Sequence, residues 1–403
     1  MRGLVTHPSV DAVALQDGEI TLKVLRGLSG FRLRVEWASG EMYEEDLSLP
    51  VGLASGTGKN SAGFLPDQDS RIDDLSAAVN DPERAVFAVE EPEGVAFYGA
   101  GHFGAGAPLL AQLGPSEPLG PEWFRKRLGI RANYVAGAMA GGIASPSLVI
   151  AMGRARLIGF YGSGGLPLEA VEAGIQEIKG QLGDSVPAGF NLLHNPHEPA
   201  VEMATVDLFL KYQCRMVSAS AFMGLTPAVV RYRFAGAHMG EDGLAQVPNR
   251  LYAKVSRPEV ARHFLQPVPE KLVSELVGSG VLTAAEAAVA RVFPMADGIT
   301  CEADSGGHTD HRPLSVILPV IRHLRDKTFE QLGYGSKGIQ VAIGAAGGLG
   351  CPASIAAAFE MGADYVLTGS VNQCTPEAGT SDLAKKMLLE AGLADVASGA
   401  APD

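Results

Sequence analysis

From about residue 130 onward, short apolar runs alternate with amphipathic segments, and this happens eight times. The runs are NYVAGAM (133–139), LIGFYG (157–162), AGFNLL (188–193), RMVSAS (215–220), LYAKVS (251–256), GITCEAD (298–304), QVAIGAAGG (340–348) and YVLTGS (365–370). Runs this short and this apolar suit strands covered on both faces, as in a parallel sheet wrapped by helices. The segments between them include SLVIAMGRA, LEAVEAGIQEIKGQL, VDLFLKY, PEKLVSELV, PLSVILPVIRHLRDK and PASIAAAFEMG, and they read as helices. Eight strand–helix units predict an α/β fold, a (β/α)8 TIM barrel, over residues 121–397. An open doubly wound sheet is the alternative. The count of eight and the order of the glycine loops described below favour the barrel.

Two spacings are long and are read as insertions. RYRFAGAHMGEDGLAQVPNR, after the fourth run, reads as a hairpin. Extra helices follow the fifth, among them LTAAEAAVARVF, where Thr283 and Glu286 have capping-box spacing. Residues 1–120 follow a different pattern. ITLKVLRG, FRLRVEWAS and AVFAVEEPEGVAFYGAG read as short strands, LASGTGKNSAGFLPDQDS as a loop, and APLLAQLGPSEPLGPEWF as a punctuated link. This is expected to be a small N-terminal α+β domain. Residues 398–403 read as a tail.

The formal net charge of −13 argues against nucleic acid or anionic lipid as the main partner, since both require clustered Lys and Arg. Cysteines 214, 301, 351 and 374 show no metal-binding spacing and are expected to be reduced thiols, with no metal site. MRGLVTHPSVD has no apolar core like that of a signal peptide, and no run reaches the length of a membrane helix. The expectation is a cytoplasmic protein. A homodimer is compatible with it.

In a barrel, working residues project from the C-terminal strand ends. GAAGGLG (344–350) and TGSVNQ (368–373) end the seventh and eighth strands. Their small residues leave backbone N–H groups open to a phosphate, which barrels often bind after these two strands. Ala346, Gly347, Gly348, Thr368, Gly369 and Ser370 are the candidates. A single phosphate site suggests a mononucleotide or a sugar phosphate.

At the first strand end, Ala138, Met139 and Ala140 could lie against a flat ring. Asn191 offers both a donor and an acceptor to a ring edge. Lys254 interrupts an apolar run, where an ammonium needs a compensating anion; the alternative is a lysine on the helix-facing side. After the sixth run, EADSGGHTD places Glu302 and Asp304 on one strand face. Ser305, Gly306 and Gly307 clear space beside them, and His308 stands ready as a proton-transfer group. His194 and His197 are the runners-up, with His311 close to His308.

AGAMAGGIAS, GFYGSGGLPLE, GFNLLHNPHEP, VSASAFMGLTPAVVRYR, AKVSRPEVARHFL, EADSGGHTDHRP, AAGGLG and TGSVNQ…EAGTSD together resemble the trans-acting enoyl reductases of polyunsaturated fatty acid and trans-acyltransferase polyketide synthases (the PfaD family). These lie within the nitronate monooxygenase-like flavin barrels. The resemblance covers about residues 120–397. It implies bound FMN, NADPH or NADH as reductant, and reduction of an enoyl thioester carried on an acyl carrier protein. It implies that the FMN phosphate meets Gly347, Gly348, Gly369 and Ser370, that Met139, Asn191 and Lys254 line the ring, and that His308 transfers the proton. Members of that family continue with a further helical segment, so the stop at GLADVASGAAPD reads as a truncation. RKRLGIR (125–131) and Arg231 with Arg233 are candidate docking patches for an acidic carrier. A nitronate monooxygenase-type oxidase is the alternative function.

Overall fold

The computed structural model describes residues 2–4, 21–24, 30–36, 42–48, 63–73, 78, 85–92, 94–104, 106, 109–113, 119–303, 309–392 and 395. The chain divides into two compact units, Met1–Glu117 and Pro118–Asp403.

The described residues of the first unit are mostly strand. Gly30–Glu36 pairs antiparallel with Arg2–Leu4, Thr21–Val24 and Met42–Ser48. Val86–Glu91 pairs with Gly94–Tyr98 on one side and Leu109–Leu113 on the other. Phe64, Phe87, Val89, Ala96 and Tyr98 form a buried cluster, with the Phe64 and Phe87 rings stacked at 4.5 Å. Two expectations are corrected. LLAQL belongs to a ladder rather than to a link, and GFLP, expected as loop, is a strand paired with Gly101–Gly104.

Among the described residues of the second unit, eight parallel strands close into a barrel. They are β1 (Tyr134–Ala136), β2 (Ile158–Tyr161), β3 (Gly189–Leu193), β4 (Met216–Ser220), β5 (Arg250–Val255), β6 (Gly298–Glu302), β7 (Ala342–Ala346) and β8 (Tyr365–Thr368). The first and last strands meet, with Val135 opposite Leu367. The covering helices are α1 (Glu122–Leu128), α2 (Pro146–Arg154), α3 (Leu168–Leu182), α4 (Pro199–Lys211), α5 (Pro227–Phe234), α6 (Pro258–Leu265), α7 (Glu270–Gly278) and α8 (Ala284–Ala290). They continue with α9 (Leu314–Leu332), α10 (Pro352–Glu360), α11 (Ser370–Gln373) and α12 (Asp382–Glu390). The Thr283–Glu286 capping box is present at the start of α8. The insertion after β4 is half helix: RYRF closes α5, and only His238–Met239 and Ala245–Gln246 form the hairpin.

Two layers of apolar contact result from the alternation of side chains along each strand. Phe190, Leu192, Val217, Ala219, Leu251, Ala253, Ile299, Cys301, Ile343, Ala345 and Val366 belong to the large cluster shared with the helices. Val135, Ile158, Phe160, Met216, Tyr252, Ala342, Ala346, Tyr365 and Leu367 pack together inside the barrel. Three glycines give large rings room in that interior. A Cβ at Gly344 would lie 2.3 Å from the Tyr365 ring, one at Gly298 2.6 Å from Tyr252, and one at Gly189 2.3 Å from Phe160.

Helix α1 plugs the N-terminal end of the barrel. Phe124 stacks on Tyr365 at 4.9 Å. Arg125 Nη1 donates to Asn133 Oδ1 at 3.1 Å, and Arg127 Nη2 meets Asp297 Oδ1 at 2.5 Å. Arg233, 0 % exposed, meets the other oxygen of Asp297, and Arg231 pairs with Asp207 at 2.7 Å. Arg125, Arg127 and Arg233 are therefore corrected as docking residues, whereas Lys126 and Arg131 are exposed. Arg125, Arg127 and Arg233 hold the floor of the barrel, far from the C-terminal strand ends. Burying a guanidinium is tolerated only with such partners.

Candidate active site

Side chains alternate strictly along a strand, so the inward glycines fix the rest of their strands. Gly189 faces the axis, and so does Asn191 two residues on. From Tyr252 the next inward residue is Lys254. From Gly298 come Thr300 and then Glu302, and from Gly344 comes Ala346. Asn191, Lys254, Glu302 and Ala346 thus converge at the C-terminal end of the barrel, where β3, β5, β6 and β7 open.

Each of these residues is held. Asn191 is 4 % exposed; its Oδ1 accepts from Ser220 Oγ at 2.9 Å and its backbone oxygen accepts from Ser163 Oγ at 2.6 Å. Its Nδ2 donates to no described residue. Lys254 Nζ lies 2.7 Å from Glu302 Oε1, with both side chains largely covered. Lys254 therefore points inward, not to the helix-facing side. One layer below, Ser218 Oγ is buried without a partner, and Thr300 Oγ1 meets Tyr365 O–H at 2.6 Å.

The last two strands place their loops side by side, because Ala346 is in register with Leu367. Gly347 and Gly348 follow β7 with φ of 98° and 70°, a backbone shape that glycine adopts at little cost. After β8, Gly369 precedes α11. A Cβ on Gly348 or Gly369 would meet nothing within 4 Å, so the space in front of both is open. The N–H groups of Gly348, Gly369 and Ser370 have no partner among the described residues. Open space beside unpaired donors suits an anion with several oxygens. Thr368 stands apart: its Oγ1 meets Tyr134 O–H at 2.6 Å and Asn372 Nδ2 at 3.0 Å. Its side chain braces the loop from behind.

The β1 loop is knitted to its neighbours. Gly141 N–H donates to Gly164 O, Gly142 N–H to Gly162 O, and Gly379 N–H to Ile143 O, at 2.8, 2.9 and 2.9 Å. Met139 packs under this loop against Ala144 and Leu148, Ala138 borders the barrel interior, and Ala140 is exposed. Asp304, Ser305, Gly306, Gly307 and His308 lie outside the described residues. Just beyond them, Asp310 is gripped at one oxygen by Arg257 Nε and Ser256 Oγ, at 2.7 and 2.9 Å, and at the other by Arg257 Nη2 at 2.6 Å. The guanidinium lowers the Asp310 carboxyl to about 2. This clamp joins the end of β5 to the segment that follows His308.

His194 holds only second rank among the histidines in the sequence. In the structure, its Nδ1 lies 2.8 Å from Glu202 Oε2, and its ring stacks on Phe222 at 5.0 Å. The HNP stretch after Asn191 is the one signal the chain offers for it; Glu202, on α4, offers none. The thiols provide no nucleophile inside the barrel wall, since burial raises Cys301 well above the ordinary thiol range and Cys214 to about 12.

A profile of the nitronate monooxygenase family matches residues 127–399. A polyunsaturated fatty acid synthase protein of Thraustochytrium sp. is 38% identical over 404 residues, covering 98% of this chain and 27% of that protein. Polyketide biosynthesis protein PksE of Bacillus subtilis is 44% identical over 288 residues, 72% of this chain and 37% of its own length. The chain thus spans well under half of either relative. The solved enoyl reductase domain of MlnA, from the macrolactin biosynthesis cluster of Bacillus amyloliquefaciens, superimposes with a TM-score of 0.66 at 38% identity. That likeness covers 69% of this chain and 62% of the MlnA chain.

Proposed function

The chain belongs to the nitronate monooxygenase family, and on that premise we propose that it is an FMN-dependent enoyl reductase acting on a thioester carried by an acyl carrier protein. The observation that carries this reading is the convergence, at one end of the barrel, of two open glycine loops with inward-facing Asn191, Lys254 and Glu302. The relatives named for polyunsaturated fatty acid and polyketide synthesis, and the MlnA enoyl reductase domain, support it.

The residues fit a flavin mononucleotide. The N–H groups at Gly347, Gly348, Gly369 and Ser370 would hold its phosphate. Unpaired Asn191 Nδ2 and the Lys254 ammonium would meet the polar edge of its ring, beside the backbone of Ala138, Met139 and Ala140. A bound flavin would supply hydride chemistry between NADPH or NADH and the β-carbon of the enoyl thioester. Glu302 balances Lys254 and fixes where its charge sits. Asp304, Ser305, Gly306 and Gly307 are assigned to flavin binding on this reading, and His308 to the proton that the α-carbon receives.

The family profile itself favours a second reading, a flavin oxidase acting on a nitronate. The two separate cleanly. A reductase consumes NADPH anaerobically with a crotonyl thioester; an oxidase takes up oxygen with a nitronate and ignores the thioester. A purified protein without a flavin spectrum that cannot be loaded with FMN contradicts both. His308→Ala is expected to lower turnover far more than flavin content; lost flavin with normal turnover in the loaded fraction removes the acid role.

A further inference from the structure

Asp310, His311, Arg312 and Pro313 follow the glycines of EADSGGHTDHRP and form a braced turn at the barrel mouth. Asp310 is anchored to the residues just past the C-terminal end of β5. Ser256 Oγ and Arg257 Nε share one of its oxygens, at 2.9 and 2.7 Å, and Arg257 Nη2 takes the other at 2.6 Å. His311 then adopts a left-handed backbone, with φ of 53°, which a residue bearing a Cβ keeps only where its surroundings enforce it. Pro313 opens α9 at φ of −60° and disfavours helical backbone in the residue before it. Arg312 is thus held on the rim between two fixed points. It is exposed, and it makes no hydrogen bond or ion pair among the described residues. Its guanidinium is near enough to Asp310 to help keep that carboxyl low, which sets the charge beside the end of β5. Arg257 is already occupied by Asp310 in a two-pronged contact, and the first turn of α9 carries no acid. In a chain of net charge −13, an unpaired guanidinium on a braced turn suits an anionic group of a ligand.

Resting on the reductase reading above, we propose that Arg312 binds the phosphate of the phosphopantetheine arm that carries the thioester. The pantetheine chain separates that phosphate from the thioester sulfur by its whole length. An enoyl group lying inside the mouth, near Asn191 and Lys254, therefore leaves the phosphate outside at the rim. A guanidinium offers its N–H donors to phosphate oxygens in a planar fork, and its charge does not titrate. Arg312 touches none of the reacting atoms; it sets specificity by favouring a phosphorylated arm over a bare one with the same acyl group. It also brings to the mouth the positive charge that Arg125 and Arg127 do not, since they hold the floor.

The test compares wild type with Arg312→Ala, Arg312→Glu and Arg312→Lys, each loaded with FMN. The probes are crotonyl phosphopantetheine and crotonyl pantetheine, which differ only in the phosphate. In wild type, kcat/KM is expected to favour the phosphorylated probe by about 10-fold, the size of one hydrogen-bonded charge contact, with the difference lying in KM. That preference is expected to shrink as salt is raised. Arg312→Ala is expected to abolish it, Arg312→Glu to invert it, and Arg312→Lys to keep part of it. An equal preference in wild type and Arg312→Ala overturns the inference. So does a loss of flavin, or of kcat on both probes, with their ratio unchanged, which is the signature of a structural role. So does a defect that appears with NADPH and spares NADH, since it assigns the guanidinium to the reductant's own phosphate. A wild type that reduces neither probe contradicts the reductase reading itself, whereas a reactive wild type whose preference survives in the variants contradicts this inference alone.

Discussion

Lys254 and Glu302 form an ion pair across neighbouring strands, Nζ to Oε1 at 2.7 Å, with both side chains turned toward the barrel axis. Removing either partner leaves the other charge largely covered and uncompensated. Lys254→Met is expected to destabilise the protein by about 2 kcal/mol, less than for a fully buried pair, and to weaken flavin retention. Glu302→Gln is expected to cost less, because the lysine can still reach an anionic ligand. Thermal melting with and without FMN, and the flavin absorbance left after dialysis, check both.

The two glycine loops make opposite demands. Gly348 has φ of 70°, so Gly348→Ala is expected to cost about 1 kcal/mol of stability in addition to any effect on binding. Gly369 has φ of −118° and open space before it, so Gly369→Ala should leave the melting temperature unchanged and still reduce FMN affinity by crowding the phosphate. Titration of FMN into the two apoproteins, alongside their melting curves, separates the effects.

Asp310 carries a pH dependence of defined sign. Its folded carboxyl sits at about 2, below the ordinary aspartate value of about 3.9. The Arg257–Asp310 clamp therefore contributes its full stabilisation above about pH 4 and loses it as pH falls toward 2. Asp310→Asn is expected to be less stable than wild type by a constant amount between about pH 5 and 7, with the gap closing under acid. Denaturant titrations at stepped pH measure the gap.

The floor of the barrel depends on Asp297, 5 % exposed, which binds Arg127 at one oxygen and Arg233 at the other. Asp297→Ala leaves Arg233 charged and enclosed, and is expected to cost about 3–5 kcal/mol. A lowered urea midpoint, with flavin still bound below it, is the expected result.

All eight barrel strands are legible in the sequence because each is enclosed on both sides, and enclosure demands an unbroken apolar run such as LIGFY or AIGAA. The glycine loops are legible for the same local reason. LLAQL reads wrongly as a link because the prolines and glycines after it outweigh five residues whose pairing partner lies elsewhere in the chain. Arg125 and Arg127 of RKRLGIR look like part of a surface patch. Their partners, Asn133, Asp297 and Gln340, lie up to 213 residues away, and no local pattern announces them. The Glu202 brace behind His194 is hidden likewise, since α4 brings in that carboxylate from outside the HNP stretch.

The EAGTSD stretch reaches back across the closure of the barrel. Gly379 donates to Ile143, and Ser145 Oγ donates to Glu377 O at 2.5 Å. A Cβ on Gly379 would come within 2.2 Å of Gly142 O. The first strand's loop is thus latched by chain synthesised some 235 residues later. A nascent chain that has not yet supplied Glu377 and Gly379 consequently lacks the catch that holds the loop after its first barrel strand.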